Sequence, residues 1–175
     1  MIKIALTGPE STGKTELSRQ LAEYFHAAWE PELAREYIEK LNREYTYEDV
    51  IKIAHLQTVQ EKKYENREDD QSFVFFDTDL IITKVWLEYK YQKVPEFVTE
   101  RLSTRFFDLY LLCEPDLPWV ADPVREHGDD RAFFFEWYQR EIEKLKIPYV
   151  KINGVGEERL RNALKAIENY ISAAK

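Results

Sequence analysis

Cysteine is almost missing from this chain: Cys113 is the only one in 175 residues. No intrachain disulfide can form, so nothing asks for an oxidising compartment. Its place in the apolar run LYLLC predicts a core thiol rather than a reactive one. Long hydrophobic runs are missing too. No stretch approaches the roughly 18–20 apolar residues that span a bilayer. The start, MIKIALTGPE, is too short an apolar run for a signal peptide and has no small-residue cleavage pattern. Cytoplasmic residence is the expectation. Positive charge is scarce: the formal net charge is −8, which disfavours the broad basic surface that attracts nucleic acid or an anionic membrane. Neither is expected as a partner, and an anionic ligand must be held by a local cluster of cations. The histidines His26, His55 and His127 show no metal spacing and receive no catalytic role. Repeats, low-complexity tracts and Ser/Gly linkers are absent, which leaves a single domain over 1–175.

What is present suffices for a sizeable core: 44% hydrophobic residues, with ten Phe, eleven Tyr and four Trp. Short apolar runs alternate with longer amphipathic stretches, the pattern of an α/β domain with a mostly parallel sheet. Strands are predicted at IKIAL, around Trp29, at SFVFFDTD, at DLYLLCEP and at PYVKING. Helices are predicted at KTELSRQLAEYF, PELAREYIEKL, residues 46–68, 80–91, PEFVTERLSTRF, up to Lys146 after a loop, and EERLRNALKAIENYI. Five strands joined by helices make a three-layer fold, with a ligand expected at the carboxyl ends of the strands.

Between the first strand and the first helix lies GPESTGKT, a complete G-x-x-x-x-G-K-[ST] pattern. Its glycines let the loop bend until successive backbone N–H groups face phosphate oxygens, and the helix amino terminus adds its dipole. Lys14 can reach the β and γ phosphates and the Thr15 hydroxyl can ligate Mg²⁺. Gly8, Glu10, Ser11, Thr12, Gly13, Lys14, Thr15 and the adjoining Glu16 are therefore assigned to ATP. The bland alternative is a chance glycine-rich turn, but the strand-to-helix setting is the one this chemistry requires.

Such a loop needs an acid for the metal. Asp77 ends the buried run FVFFD and is the candidate, held directly or through water; its alternative is to cap the next helix. Asp79 is left for the cap or for substrate. Phosphoryl transfer also needs cations over the moving group. The loop DLPWVADPVREHGDD and the start of the helix after it offer Arg125 and Arg131 in a lid expected over 116–132, against the alternative of solvated arginines paired with neighbouring acids. On the acceptor side, WEPELAREY offers Glu30, Glu32 and Glu36 as bases and Arg35 as a holder of an anion or a carboxylate. The i,i+3 and i,i+4 spacings there are equally those of exposed helix charges. Trp29, Tyr37, Trp86 and Trp119 could wall a flat acceptor; Trp119 is favoured because it lies in the loop.

Taken together, GPESTGKT, PELAREY, IAHLQ, FFDTD, DLYLLCEPDLPWVADPVR and YVKINGVGEERLRNAL cover nearly the whole chain in order. On these stretches the chain resembles the P-loop ribosylnicotinamide kinase domain of NadR-type proteins, within the AAA_28 group of ATPase or kinase domains. The resemblance implies ATP- and Mg²⁺-dependent phosphorylation of the ribose 5′-hydroxyl of nicotinamide riboside to give nicotinamide mononucleotide. It implies a lid role for Arg125 and metal and substrate roles for Asp77 and Asp79. It raises Glu32 and Arg35, which match E-x-x-R, above Glu30. It places Asn153, Gly154 and Arg159 on the adenine side. The sequence departs from the pattern in two ways. The phosphate loop begins at residue 8, so the adenylyltransferase half of NadR proteins is not expected, and Pro123 stands where a glycine is expected after an Asp of the lid. A kinase for another nucleoside or coenzyme precursor, or an ATP-binding regulatory module, remains open at this stage. Oligomeric state is not legible.

Overall fold

The computed structural model describes residues 1–65, 72–120 and 129–173. In chain order the elements are β1 (Ile2–Thr7), α1 (Lys14–Tyr24), β2 (Ala28–Glu30), α2 (Leu33–Glu39), α3 (Tyr47–Lys62), β3 (Phe73–Asp77), α4 (Leu80–Tyr91), α5 (Glu96–Ser103), β4 (Leu109–Cys113), α6 (Arg131–Leu145), β5 (Tyr149–Ile152) and α7 (Glu157–Ala173). The strands form one five-stranded sheet in the order β2-β3-β1-β4-β5. Every pairing is parallel.

FVFFD and LYLLC are buried along their whole length, as strands covered on both faces must be. Alternation then sorts their side chains into two layers. Ile4, Leu6, Phe75, Leu111 and Cys113 pack against Leu17 and Leu21 of α1 and Ala163 and Ile167 of α7. Ala5, Val74, Phe76, Tyr110 and Leu112 pack against Ile81 and Val85 of α4 and Phe134, Tyr138 and Ile142 of α6. A smaller cluster joins Val50 and Ala54 of α3 to Leu80 and Leu87 of α4 and Val98 of α5. The expected three-layer architecture is therefore present. Cys113 is a buried thiol whose pKa burial pushes up to about 11. Among the described residues no helix is long and apolar enough to cross a membrane.

Element ends differ from the sequence reading in instructive places. The second helix starts at Leu33, two residues after Pro31, because Glu32 holds an extended conformation as its N-cap. The fifth ends at Ser103 rather than Phe106; Arg105 turns the chain at φ +53°. Phe106 and Phe107 then stack edge-on against Phe76, with centroids 5.7 and 5.1 Å away. The C-terminal end expected for the third helix, residues 66–68, lies outside the described residues, as does 121–128 of the expected helical lid.

Asp49, in the first turn of α3, fixes the segment that leads from α2. Its carboxylate accepts hydrogen bonds from Arg43 at 2.6 and 3.0 Å, from the Tyr37 hydroxyl at 3.0 Å, and from the Thr46 backbone N–H and hydroxyl at 2.9 and 3.0 Å. The Arg43 guanidinium holds this carboxyl well below the usual carboxylate range, with Thr46 and Tyr37 adding to the effect against the cost of burial. Its folded pKa lies below the unfolded one, so its stabilisation is complete above the unfolded value and is lost as pH falls through the folded value. Asp49→Asn is expected to cost about 1–3 kcal/mol at neutral pH. The difference from the parent should shrink as pH falls below about 4, and denaturant titrations at both pH values measure it.

Candidate functional site: a phosphate loop opening into a cleft

The loop between β1 and α1 requires glycine at both ends. Gly8 has φ +143°, and a Cβ there would stand 2.6 Å from the Cys113 carbonyl oxygen at the end of the neighbouring strand; Gly13 has φ +74°. Inside the loop, the Pro9 carbonyl accepts from the Thr12 hydroxyl at 2.9 Å and from the Lys14 ammonium at 2.7 Å. Gly8→Ala is expected to force β4 and the loop apart, costing about 1–3 kcal/mol. The melting temperature and the affinity for ATP should fall together, and calorimetry reads both.

At the carboxyl end of β3, Asp77 lies opposite Leu6 of β1. It is 2% exposed, and neither carboxylate oxygen meets the geometric criteria of a hydrogen bond with any of the described residues. Burial pushes its pKa up, opposed by the neighbouring Thr15 hydroxyl and by the charges of Lys14 and Arg35. A buried carboxylate without a partner is costly. A hard divalent cation taking oxygen ligands from Asp77 and Thr15 would relieve that cost, so these two residues fit Mg²⁺. No group of three or more acids, histidines or cysteines among the described residues could hold a metal by itself. The remaining ligands would therefore come from water and bound phosphates, the usual state of Mg²⁺.

Asp79 does something else. It is the N-cap of α4, accepting from the Ile81 N–H at 3.1 Å and from the Tyr110 hydroxyl at 2.9 Å; burial pushes its pKa up to about 6. Thr78, at φ +73°, turns the chain between the two acids. The capping alternative for Asp79 is therefore the one seen in the fold, and the residue lines neither the cleft nor the smaller cavity beside it.

That cleft, about 790 Å³, begins at Gly8, Pro9, Glu10 and Lys14. It runs between α2, which contributes Glu32 and Arg35, and α4, which contributes Thr83, Trp86 and Tyr89; Tyr138 of α6 adds to the lining. A smaller cavity of about 250 Å³ brings Thr15 and Asp77 together with Glu32, Arg35 and Trp29. Glu32 and Arg35 line both spaces, so α2 is the partition between the cleft and the cavity of Thr15 and Asp77. Arg35 lies 3.8 Å from Glu32 and 3.6 Å from Glu39.

Other expected residues fall elsewhere. Glu30 is buried under the Tyr64 hydroxyl at 2.7 Å and Lys63 at 3.3 Å. Glu16 faces solvent and accepts from Arg19 and Gln20. Of the four aromatics, only Trp86 lines the cleft. Trp29 donates to the Ser18 hydroxyl, Tyr37 to Asp49, and Trp119 is 39% exposed and lines neither cavity. Arg131 donates to the Leu117 carbonyl at 2.8 Å, and Arg125 lies outside the described residues. Arg159 is buried, with its guanidinium directed at the carbonyls of Gly154, Ile152 and Glu114. Asn153 accepts from the Asn162 amide.

The sequence reading missed the cleft residues Tyr45, Tyr89, Phe134, Tyr138, Gln57 and Thr83. One signal was available. Ile82, Thr83, Trp86, Tyr89 and Lys90 recur at helical spacing on one face of α4, but such a stripe reads as core until the facing helix is placed.

The AAA_28 family model, described as an AAA domain, matches residues 3–159. The trifunctional NAD biosynthesis/regulator protein NadR of Escherichia coli K12 is 29% identical over 158 residues, which is 85% of this chain and 37% of that protein. The chain thus spans well under half the length of that relative. A NadR crystal structure in complex with NR superposes with a TM-score of 0.76 at 28% identity, covering 97% of this chain and 51% of the other. A second, with NAD and AMP-PNP, gives 0.70 at 28% identity, covering 97% and 49%. A deoxyadenosine kinase from M. mycoides, 13% identical, shares the fold with a TM-score of 0.59, covering 96% of this chain and all of the other. With its complete phosphate loop, its parallel five-stranded sheet and a family match over most of its length, the chain belongs to the AAA_28 family.

Proposed function

We propose that this P-loop phosphotransferase moves the γ-phosphoryl group of ATP onto a hydroxyl of a small nucleoside, with the ribose 5′-hydroxyl of nicotinamide riboside as the preferred acceptor. The observation that carries the reading is that Lys14, Glu32 and Trp86 line one and the same cleft. A module that only senses nucleotide has no need of a carboxylate beside the phosphate loop and an aromatic recess beyond it. The NadR complex with NR supports the acceptor's identity, and the AMP-PNP complex supports the donor's.

In this mechanism the phosphate loop and Lys14 hold the triphosphate and neutralise charge that grows on the transferring group. Glu32 accepts the proton of the attacking hydroxyl as its oxygen bonds to the γ phosphorus and the bond to ADP breaks. Arg35 holds Glu32 in place, and the α2 partition keeps water from competing as acceptor. Mg²⁺, when bound by Asp77 and Thr15, supplies charge neutralisation on the phosphates.

ATP consumption measured with Mg²⁺ across a panel of nucleosides, with products identified by mass, tests the proposal. Nicotinamide riboside should gain one phosphoryl group faster than the other nucleosides. Tight ATP binding with no phosphorylated product from any nucleoside would overturn the kinase reading in favour of a nucleotide-controlled interaction module.

A further inference from the structure

Beside the phosphate loop lies a polar hub that the chemistry above does not use. Arg159, in the first turn of α7, is 4% exposed, and its guanidinium donates to the carbonyls of Gly154 at 2.8 Å, Ile152 at 3.2 Å and Glu114 at 3.3 Å. It also pairs with Asp116, whose other oxygen accepts the Gly154 N–H at 2.7 Å. One ion pair therefore locks together the turns that follow β4 and β5.

From Asp116 the chain runs directly onto the phosphate loop. The Leu117 side chain stands 3.1 Å from where a Cβ on Gly13 would lie, and Arg131 holds the Leu117 carbonyl from α6 at 2.8 Å. Val120 then exchanges hydrogen bonds with the Ser11 hydroxyl, its N–H donating at 3.2 Å and its carbonyl accepting at 3.4 Å. The strap 117–120 thus meets the loop at Ser11 and Gly13 and is anchored behind by Asp116. A guanidinium this buried gains little net stability from its ion pair, because desolvation offsets the attraction. What the pair supplies is a fixed geometry.

We infer that Asp116 and Arg159 are positioning residues for the triphosphate: they hold the 117–120 strap against Ser11 and Gly13, so that the loop's N–H groups are ordered before phosphate arrives. Ordering in advance removes a cost otherwise met on binding, and the benefit falls on the phosphate-binding N–H groups at the helix start. The inference rests on nucleotide binding by the phosphate loop and is independent of the acceptor.

Titration calorimetry of the full chain with a Mg²⁺-bound non-hydrolysable ATP analogue tests it, with inorganic tripolyphosphate as a second probe and thermal unfolding alongside. Asp116→Ala should weaken the analogue about tenfold and tripolyphosphate by the same factor, with the chain still folded at the assay temperature. Asp116→Asn should lie between, since its amide oxygen still accepts the Gly154 N–H. If the alanine variant does not fold, the asparagine variant decides by the same two affinities. Analogue affinity within about twofold of the parent overturns the inference. So does a loss confined to the analogue and absent for tripolyphosphate, which would move the effect from the phosphates to the base.

Discussion

Glu32→Gln is expected to lower kcat by roughly 10²–10⁴-fold, the usual contribution of a positioned general base, while ATP affinity stays within about twofold. The substitution keeps the shape of the side chain and removes its basicity. Glu32 lines both the cleft and the cavity that holds Thr15 and Asp77, the place that the proposed transfer requires of its base. It is the N-cap of α2 and its side chain makes no capping hydrogen bond, so the substitution removes no cap from the helix. Steady-state kinetics with a separate binding measurement distinguish a lost base from a lost site. Turnover unchanged in the variant would remove Glu32 from the mechanism and return it to the role of an ordinary helix-end charge.

Lys14→Ala should lower kcat on the order of 10²–10³-fold, as removal of one preorganised donor to a charged transition state does elsewhere. The fold should survive. The Pro9 carbonyl that accepts the ammonium also accepts the Thr12 hydroxyl, so the loop keeps an internal tie without Lys14. A melting temperature close to that of the parent together with slow transfer would assign the loss to charge rather than to architecture. Parental turnover would mean that the phosphates are neutralised by other groups.

The phosphate loop could be read from the sequence because its chemistry is contiguous: eight residues between a strand and a helix carry the backbone turns, the cation and the hydroxyl. Asp77 could be read for a related reason, since a buried strand that ends abruptly in an acid places that acid at the carboxyl edge of the sheet. Asp79, two residues on, could not be separated from it by spacing alone. What separates them is the left-handed turn at Thr78 and the Tyr110 hydroxyl waiting on β4. Beyond its phosphate-loop end the cleft was legible only in Glu32, Arg35 and Trp86. Most of its other walls, such as Thr83, Tyr89, Phe134 and Tyr138, lie on faces of α4 and α6 that look like core in sequence until the facing elements are placed. Arg159 was singled out only by resemblance; in the fold its guanidinium is taken up by three main-chain carbonyls and Asp116. Only the tertiary placement of the β4 and β5 turns could reveal that.

The central claim is that the cleft delivers a nucleoside hydroxyl to the γ phosphate in preference to water. Phosphorus NMR of the mixture formed from ATP, Mg²⁺ and nicotinamide riboside tests it most directly, because it resolves ester from inorganic phosphate in one spectrum. ADP should appear together with an equal amount of a phosphomonoester whose phosphorus couples to the two ribose 5′ protons. ADP matched instead by inorganic phosphate, with the nucleoside unchanged, would contradict it.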